Sequence, residues 1–182
     1  MTGGNGVETL DFRPSMQQTM IITGMAEETA GQISRVEIVL GPDQGGPPAH
    51  IHPGQREIYT VEQGELTVAL DGGTRTVPAG ESIEIPPGSV HAFSNPSGRE
   101  VHFTADHLPA LRFEEYIRLV HRTVKGRKAT LPVIMRIVRI ESSFPETILA
   151  PPGPPRLIGK TLSGLGKLVG YPTGDQLAAS VR

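Results

Sequence analysis

Between Thr19 and Ala105 the chain alternates apolar and polar residues in short runs, the period-two signature of half-buried strands. In the run over 33–40, Val36, Ile38 and Leu40 share one face while Arg35 and Glu37 share the other. Runs over 19–23, 57–61, 66–70, 75–78, 81–85, 90–95 and 100–105 behave in the same way, so that about eight short strands are predicted. Glu57, Tyr59 and Val61 fall on one face, as do Leu66, Val68 and Leu70, and His91, Phe93 and Asn95. Turn residues separate the runs: Gln63-Gly64, Asp71-Gly72-Gly73, Ala79-Gly80, Pro86-Pro87-Gly88 and Pro96-Ser97-Gly98.

Near Leu108 the period changes. Leu108, Leu111, Tyr116, Leu119 and Val120 recur at helical spacing, opposite Glu114, Glu115, Arg118 and Arg122. A second helix is expected after Thr130, with Pro132 in its first turn, carrying Val133, Ile134, Ile137 and Val138. A third spans 156–169 between Pro155 and Gly170, with Ile158, Leu162, Leu165 and Leu168 along one side. The pattern divides the 182 residues into a loose N-terminal arm over 1–16, a β-barrel or sandwich over 17–106 and a helical extension over 107–182, packed on the barrel or on a dimer partner.

Composition narrows the chemistry. There is no cysteine, which removes disulfides, thiolate nucleophiles and zinc-thiolate sites, and any metal must be held by nitrogen and oxygen. A net charge of -2 offers no basic stripe for nucleic acid, and the first thirteen residues contain no apolar run, so no membrane partner is expected and a cytoplasmic location is. A small molecule is the expected partner. Aromatics make up 4% with no Trp, which leaves the core mainly to Val, Ile and Leu.

Candidate chemistry gathers in Pro47–Gly64, where His50, His52 and Glu57 occur within eight positions. Strand alternation points His50 and His52 to the same side, and the turn-forming Pro53-Gly54 can bring Glu57 back toward them. His91 adds a fourth candidate, framed by Gly80, Pro86, Gly88 and Asn95. These two stretches resemble the two motifs of the cupin superfamily, with one departure: the Gly that opens the first motif, Gly45, stands one residue closer to His50 than in the family pattern. The resemblance covers about residues 30–106 and is nearest to single-domain, quercetin-dioxygenase-like members.

The resemblance implies an all-β fold, a cupin jelly-roll β-barrel with a C-terminal helical appendage, and one divalent transition metal (Fe, Mn, Ni, Co, Cu or Zn) bound by His50, His52, Glu57 and His91. It implies a metal-dependent dioxygenase or isomerase/cyclase, in which Glu57 also serves as general base; a non-catalytic binding or sensory module is the alternative. Tyr59 and Phe93 share faces with Glu57 and His91, so they line the pocket or fill the barrel, while Gln44 and Arg56 border the motif. His102, His107 and His121 lie outside it and read as ordinary polar positions. A homodimer is expected, because the apolar faces of the C-terminal helices need a partner surface.

Overall fold

Ten strands and four α-helices make up the computed structural model, which describes residues 7–180. The strands are β1 (Glu8–Asp11), β2 (Gln18–Gly24), β3 (Ser34–Leu40), β4 (Gln44–Gly45), β5 (Arg56–Gln63), β6 (Glu65–Leu70), β7 (Gly73–Pro78), β8 (Ser82–Ile85), β9 (His91–Asn95) and β10 (Val101–Leu108). They form two antiparallel sheets, one in the order β1-β2-β3-β10-β5-β8 and one in the order β4-β9-β6-β7. Alternation decides which side chains face inward: Val36, Ile38 and Leu40 of β3, Tyr59 and Val61 of β5 and Leu66 and Val68 of β6 are all buried. Tyr59, Phe93 and Phe103 meet edge to face between the sheets, with ring centroids 5.1–5.6 Å apart.

Two strands escape the sequence pattern. The arm expected over 1–16 is partly a strand: β1 pairs with β2, and Leu10 and Phe12 are buried. Only Val7, Leu10 and Phe12 announce it, a run too short to show a period; residues 1–6 of that arm lie outside the described residues. β4 is two residues long and pairs with β9.

The helices follow as α1 (Phe113–Val124), α2 (Leu131–Glu141), α3 (Pro154–Leu168) and α4 (Gly174–Ala179). The boundary expected at residue 107 falls inside β10, and the helix expected from Leu108 begins only at Phe113. Pro109 keeps Leu108 extended, since the residue before a proline is pushed out of the helical region, and Leu111 at φ 46° is not helical either. α4 carries a capping box, in which Thr173 accepts from the Gln176 backbone while the Gln176 side chain returns to Thr173.

The helical extension sits over one end of the barrel. Leu149 exchanges backbone hydrogen bonds with Ile51, and Gly54 donates to Glu146 O, so the link between α2 and α3 is stitched to the barrel loop that follows His50. Phe144 anchors it, fully buried against Tyr116 and beneath the Arg112 guanidinium, which lies 4.3 Å from the ring centroid. α1 buries Phe113, Tyr116, Ile117, Leu119, Val120 and Val124 against the same core. No helix among the described residues is long and apolar enough to cross a membrane.

Candidate metal centre

Four elements deliver a buried His/Glu cluster to the capped end of the barrel. His50 and His91 face each other as a two-residue antiparallel bridge, each N–H donating to the other's carbonyl at 3.0 Å. His52 follows on the same side, and Glu57 enters at the start of β5, where it pairs with His107 of β10 and Ile85 of β8. Gly46 makes the approach possible: a Cβ there would stand 2.2 Å from the Phe93 ring, so only a glycine lets the β4 loop lie on that aromatic and lead to His50.

The ring centroids of His50, His52 and His91 lie 4.3–5.4 Å apart. Their donor atoms form one potential ligand set, and His52, Glu57 and His107 form a second that shares His52. Glu57 joins the two, with Oε2 3.0 Å from His91 Nε2 and 3.7 Å from His52 Nε2, and Oε1 3.1 Å from His107 Nε2. The backbone fixes the rings. Nδ1 of His50 contacts Pro48 O at 3.0 Å, that of His91 contacts Ser89 O at 3.1 Å, and that of His52 contacts Thr147 O. A carbonyl accepts only from Nδ1–H, which leaves the Nε2 lone pair of each ring free.

Electrostatics favour a cation. Burial, reinforced by the neighbouring histidines, lowers the His50 pKa to about 3; burial likewise takes that of His52 to about 4, so both rings are neutral donors near pH 7. Burial opposes charge on Glu57, yet His107 and His52 outweigh it and hold the carboxyl well below the usual range. His91 shows the reverse pull: burial lowers it, but the contact with Glu57 more than offsets this and the net shift is upward. Glu57 Oε2 and His91 Nε2 are both buried without an aligned hydrogen-bond partner despite their proximity. Such orphaned buried atoms are costly, and a divalent cation accepting both, with the Nε2 atoms of His50 and His52, would satisfy them. The donor set therefore fits a transition metal bound by nitrogen and oxygen.

His107 is the residue that the sequence reading passed over. The signal was present, because Val101, Phe103, Ala105 and His107 share the inward face of β10. Phe113 at the start of α1 stacks on the His107 ring, with centroids 3.5 Å apart, and covers it from the helical side. Tyr59 and Phe93 pack against each other in the aromatic core, and neither is among the residues around the adjoining cavity. The Tyr59 hydroxyl is nevertheless buried without a partner, and burial together with Glu57 pushes its pKa well above the ordinary value. Gln44 reaches the cavity, whereas Arg56 pairs with Glu84 on the exposed surface at 3.7 Å. His102 pairs with Glu100, and His121 packs against Phe12, both apart from the cluster.

The cavity, about 670 Å³, lies between the barrel end and α1, α2 and α3, and His50 stands in its wall.

Residues 36–105 match the family model described as a cupin domain. The barrel is a cupin domain. The cupin fold is shared with an RmlC-like cupin from Shewanella frigidimarina, 22% identical, covering 60% of this chain and 89% of that one with a TM-score of 0.50. KdgF from Halomonas sp. aligns at 19% identity over 56% of this chain and 87% of that one, with a TM-score of 0.49. Among curated proteins, the "Probable oxidoreductase patJ" of Penicillium expansum is 39% identical over 59 residues, a stretch that spans 31% of this chain and 18% of that relative's length. Beyond the cupin domain lies the helical extension, whose Thr147 and Phe113 contribute to the cluster itself.

Proposed function

We propose that this cupin binds one divalent transition metal through His50, His52, Glu57 and His91 and uses it to transform a small organic substrate. The single observation that carries the reading is the convergence of three buried imidazoles, their Nδ1 atoms held by backbone carbonyls, on the Glu57 carboxylate, whose Oε2 lies 3.0 Å from His91 Nε2. When bound, the metal supplies Lewis acidity, and for a redox-active ion a route for electrons. The chain supplies the rest. Pro48, Ser89 and Thr147 orient the rings through their carbonyls, Phe113 excludes water from the His107 side, and His107 donates to Glu57 Oε1 to keep that carboxylate charged. Glu57 is also the proton acceptor: a substrate O–H breaks, the proton passes to its carboxylate and the electron pair stays on the substrate oxygen.

An oxidoreductase of the dioxygenase kind is the favoured reaction class over an isomerase or cyclase, supported by the partial match to a probable oxidoreductase. A homodimer in the cytoplasm remains the expected setting. Elemental analysis of protein purified without chelator tests the metal. The expected result is about one transition metal per chain, lost in His52→Ala; a wild-type chain that retains none would sink the reading. Substrate turnover with and without dioxygen then separates the redox class from the isomerase class.

A further inference from the structure

The cavity under the helical cap has a chemistry of its own. Its wall is chiefly apolar, with Met20 from β2, Ile117 and Val120 from α1, Val133 and Ile137 from α2 and Leu162 from α3. No Lys or Arg among the described residues lines it, so nothing there neutralises an anion. Its polar residues are few beside the apolar ones. Gln18, only 1% exposed, borders it with its Nε2 turned toward Met16 Sδ at 3.8 Å. Glu141 lies beside the Tyr116 hydroxyl at 3.4 Å. The volume lies within the range of sites that enclose drug-sized molecules. An apolar ligand that covers such a wall removes the apolar surface of both from water.

We propose that this cavity binds a neutral, chiefly apolar small molecule that reaches the cluster at His50. That such a molecule is the substrate rests on the metal-centred reading above; that it binds does not. The helical cap, which lies outside the matched cupin domain, is then what selects the substrate class.

Fluorescence titration of the full chain with two dyes of one ring system tests this. N-phenyl-1-naphthylamine is neutral and carries one N–H, and 8-anilino-1-naphthalenesulfonate adds a fixed negative charge. The neutral dye should saturate at one per chain and bind at least tenfold tighter than the sulfonate. Gly159→Phe should weaken it at least tenfold: Gly159 lines the cavity in α3, and a Cβ there meets nothing within 4 Å, so the ring fills space without displacing core. Equal binding of both dyes, wild-type binding by Gly159→Phe, or loss of binding in the surface variant Leu168→Glu would overturn the proposal. His52→Ala should keep the dye while losing the metal, so a wild-type chain that binds dye but holds no metal would refute only the metal reading.

Discussion

The two walls of the cavity are held by different forces. On the barrel side, position is set by backbone ladders: His50 is bonded to His91 through both N–H groups, and Glu57 stands opposite His107 in the β5–β10 register. On the helical side, backbone bonds at Ile51–Leu149 and Gly54–Glu146 seat only the link, and the helices are positioned by side chains, with Phe144 under Arg112 and Gly166 of α3 closing on Arg139, whose Cγ would be 2.8 Å from an added Cβ. A ladder fixes its residues to a single face, because a one-residue slip turns every side chain over. A helix packed through side chains accepts new volume more easily. The contrast suits a rigid ligand set beside an adaptable pocket, with the Thr147 carbonyl on His52 and the Phe113 ring on His107 as the links between the two walls.

The largest effect is expected on the helical side. Phe144→Ala removes a fully buried ring and should cost about 3–5 kcal/mol. Denaturant unfolding read by far-UV circular dichroism checks it. Because Phe144 belongs to the same hydrophobic cluster as the barrel residues, a single shifted transition is expected; a small early transition with the barrel unmoved would make the cap a separate folding unit. Next comes the barrel wall. Supplying the metal at about 100 times its Kd should raise stability by about 2.7 kcal/mol, and chelation should reverse this. Phe144→Ala should leave that increment intact if the two walls are independent, and should diminish it if the Thr147 carbonyl is needed to hold His52.

His107→Gln refines the barrel side further. The variant removes the ring whose Nε2 holds Glu57 Oε1 at 3.1 Å, and a supporting partner of this kind typically tunes metal affinity by about 10–100-fold. Competition with a chromogenic chelator reads the change. An unchanged affinity would make His107 merely a packing partner of Phe113.

What the sequence made legible follows the same division. Strand alternation placed β2, β3 and β5 to β10, because a buried face and a wet face leave a period of two in the residues themselves. The motif residues His50, His52, Glu57 and His91 stood out for the same reason, as inward positions with polar side chains. His107 was equally inward but carried no motif around it, and its approach to Glu57 depends on the pairing of β10 with β5, which no local spacing reveals. The seat of the helices was hidden too. An amphipathic stripe states that a face is buried without saying against what, and only the Ile51–Leu149 bridge puts the extension over the cluster.

A smaller effect distinguishes the walls by pH. Burial raises the Glu141 carboxyl above its ordinary 4.5, with Tyr116 only partly opposing. The folded chain thus keeps a proton that the unfolded chain releases, so the stability due to the neutral form is complete below pH 4.5 and is lost as pH rises through the folded pKa. Glu141→Gln cannot titrate. Its urea midpoint relative to wild type should climb as pH rises from about 4.5 toward 8; parallel pH profiles would show that Glu141 does not titrate differently on folding.

The smallest effect on the folded chain is expected at the outer face of α3. Leu157, Leu165, Leu168 and Val169 there are 46–83% exposed, so of the predicted stripe Ile158, Leu162, Leu165 and Leu168 only Ile158 and Leu162 reach the cavity. The inner side of α3 is occupied instead by Gly159 and Leu162 at the cavity and Gly166 at α2. Leu168→Glu should therefore change the stability of a single chain by less than about 0.5 kcal/mol, the usual range for surface positions. The expected homodimer gives the stripe a reason to exist: burying apolar residues against a second copy would recover the free energy that exposure forgoes. Light scattering should then find the wild type as a dimer and Leu168→Glu as a monomer with its metal content intact; a monomeric wild type would leave the two walls of the cavity, both within one chain, as the whole of the functional unit.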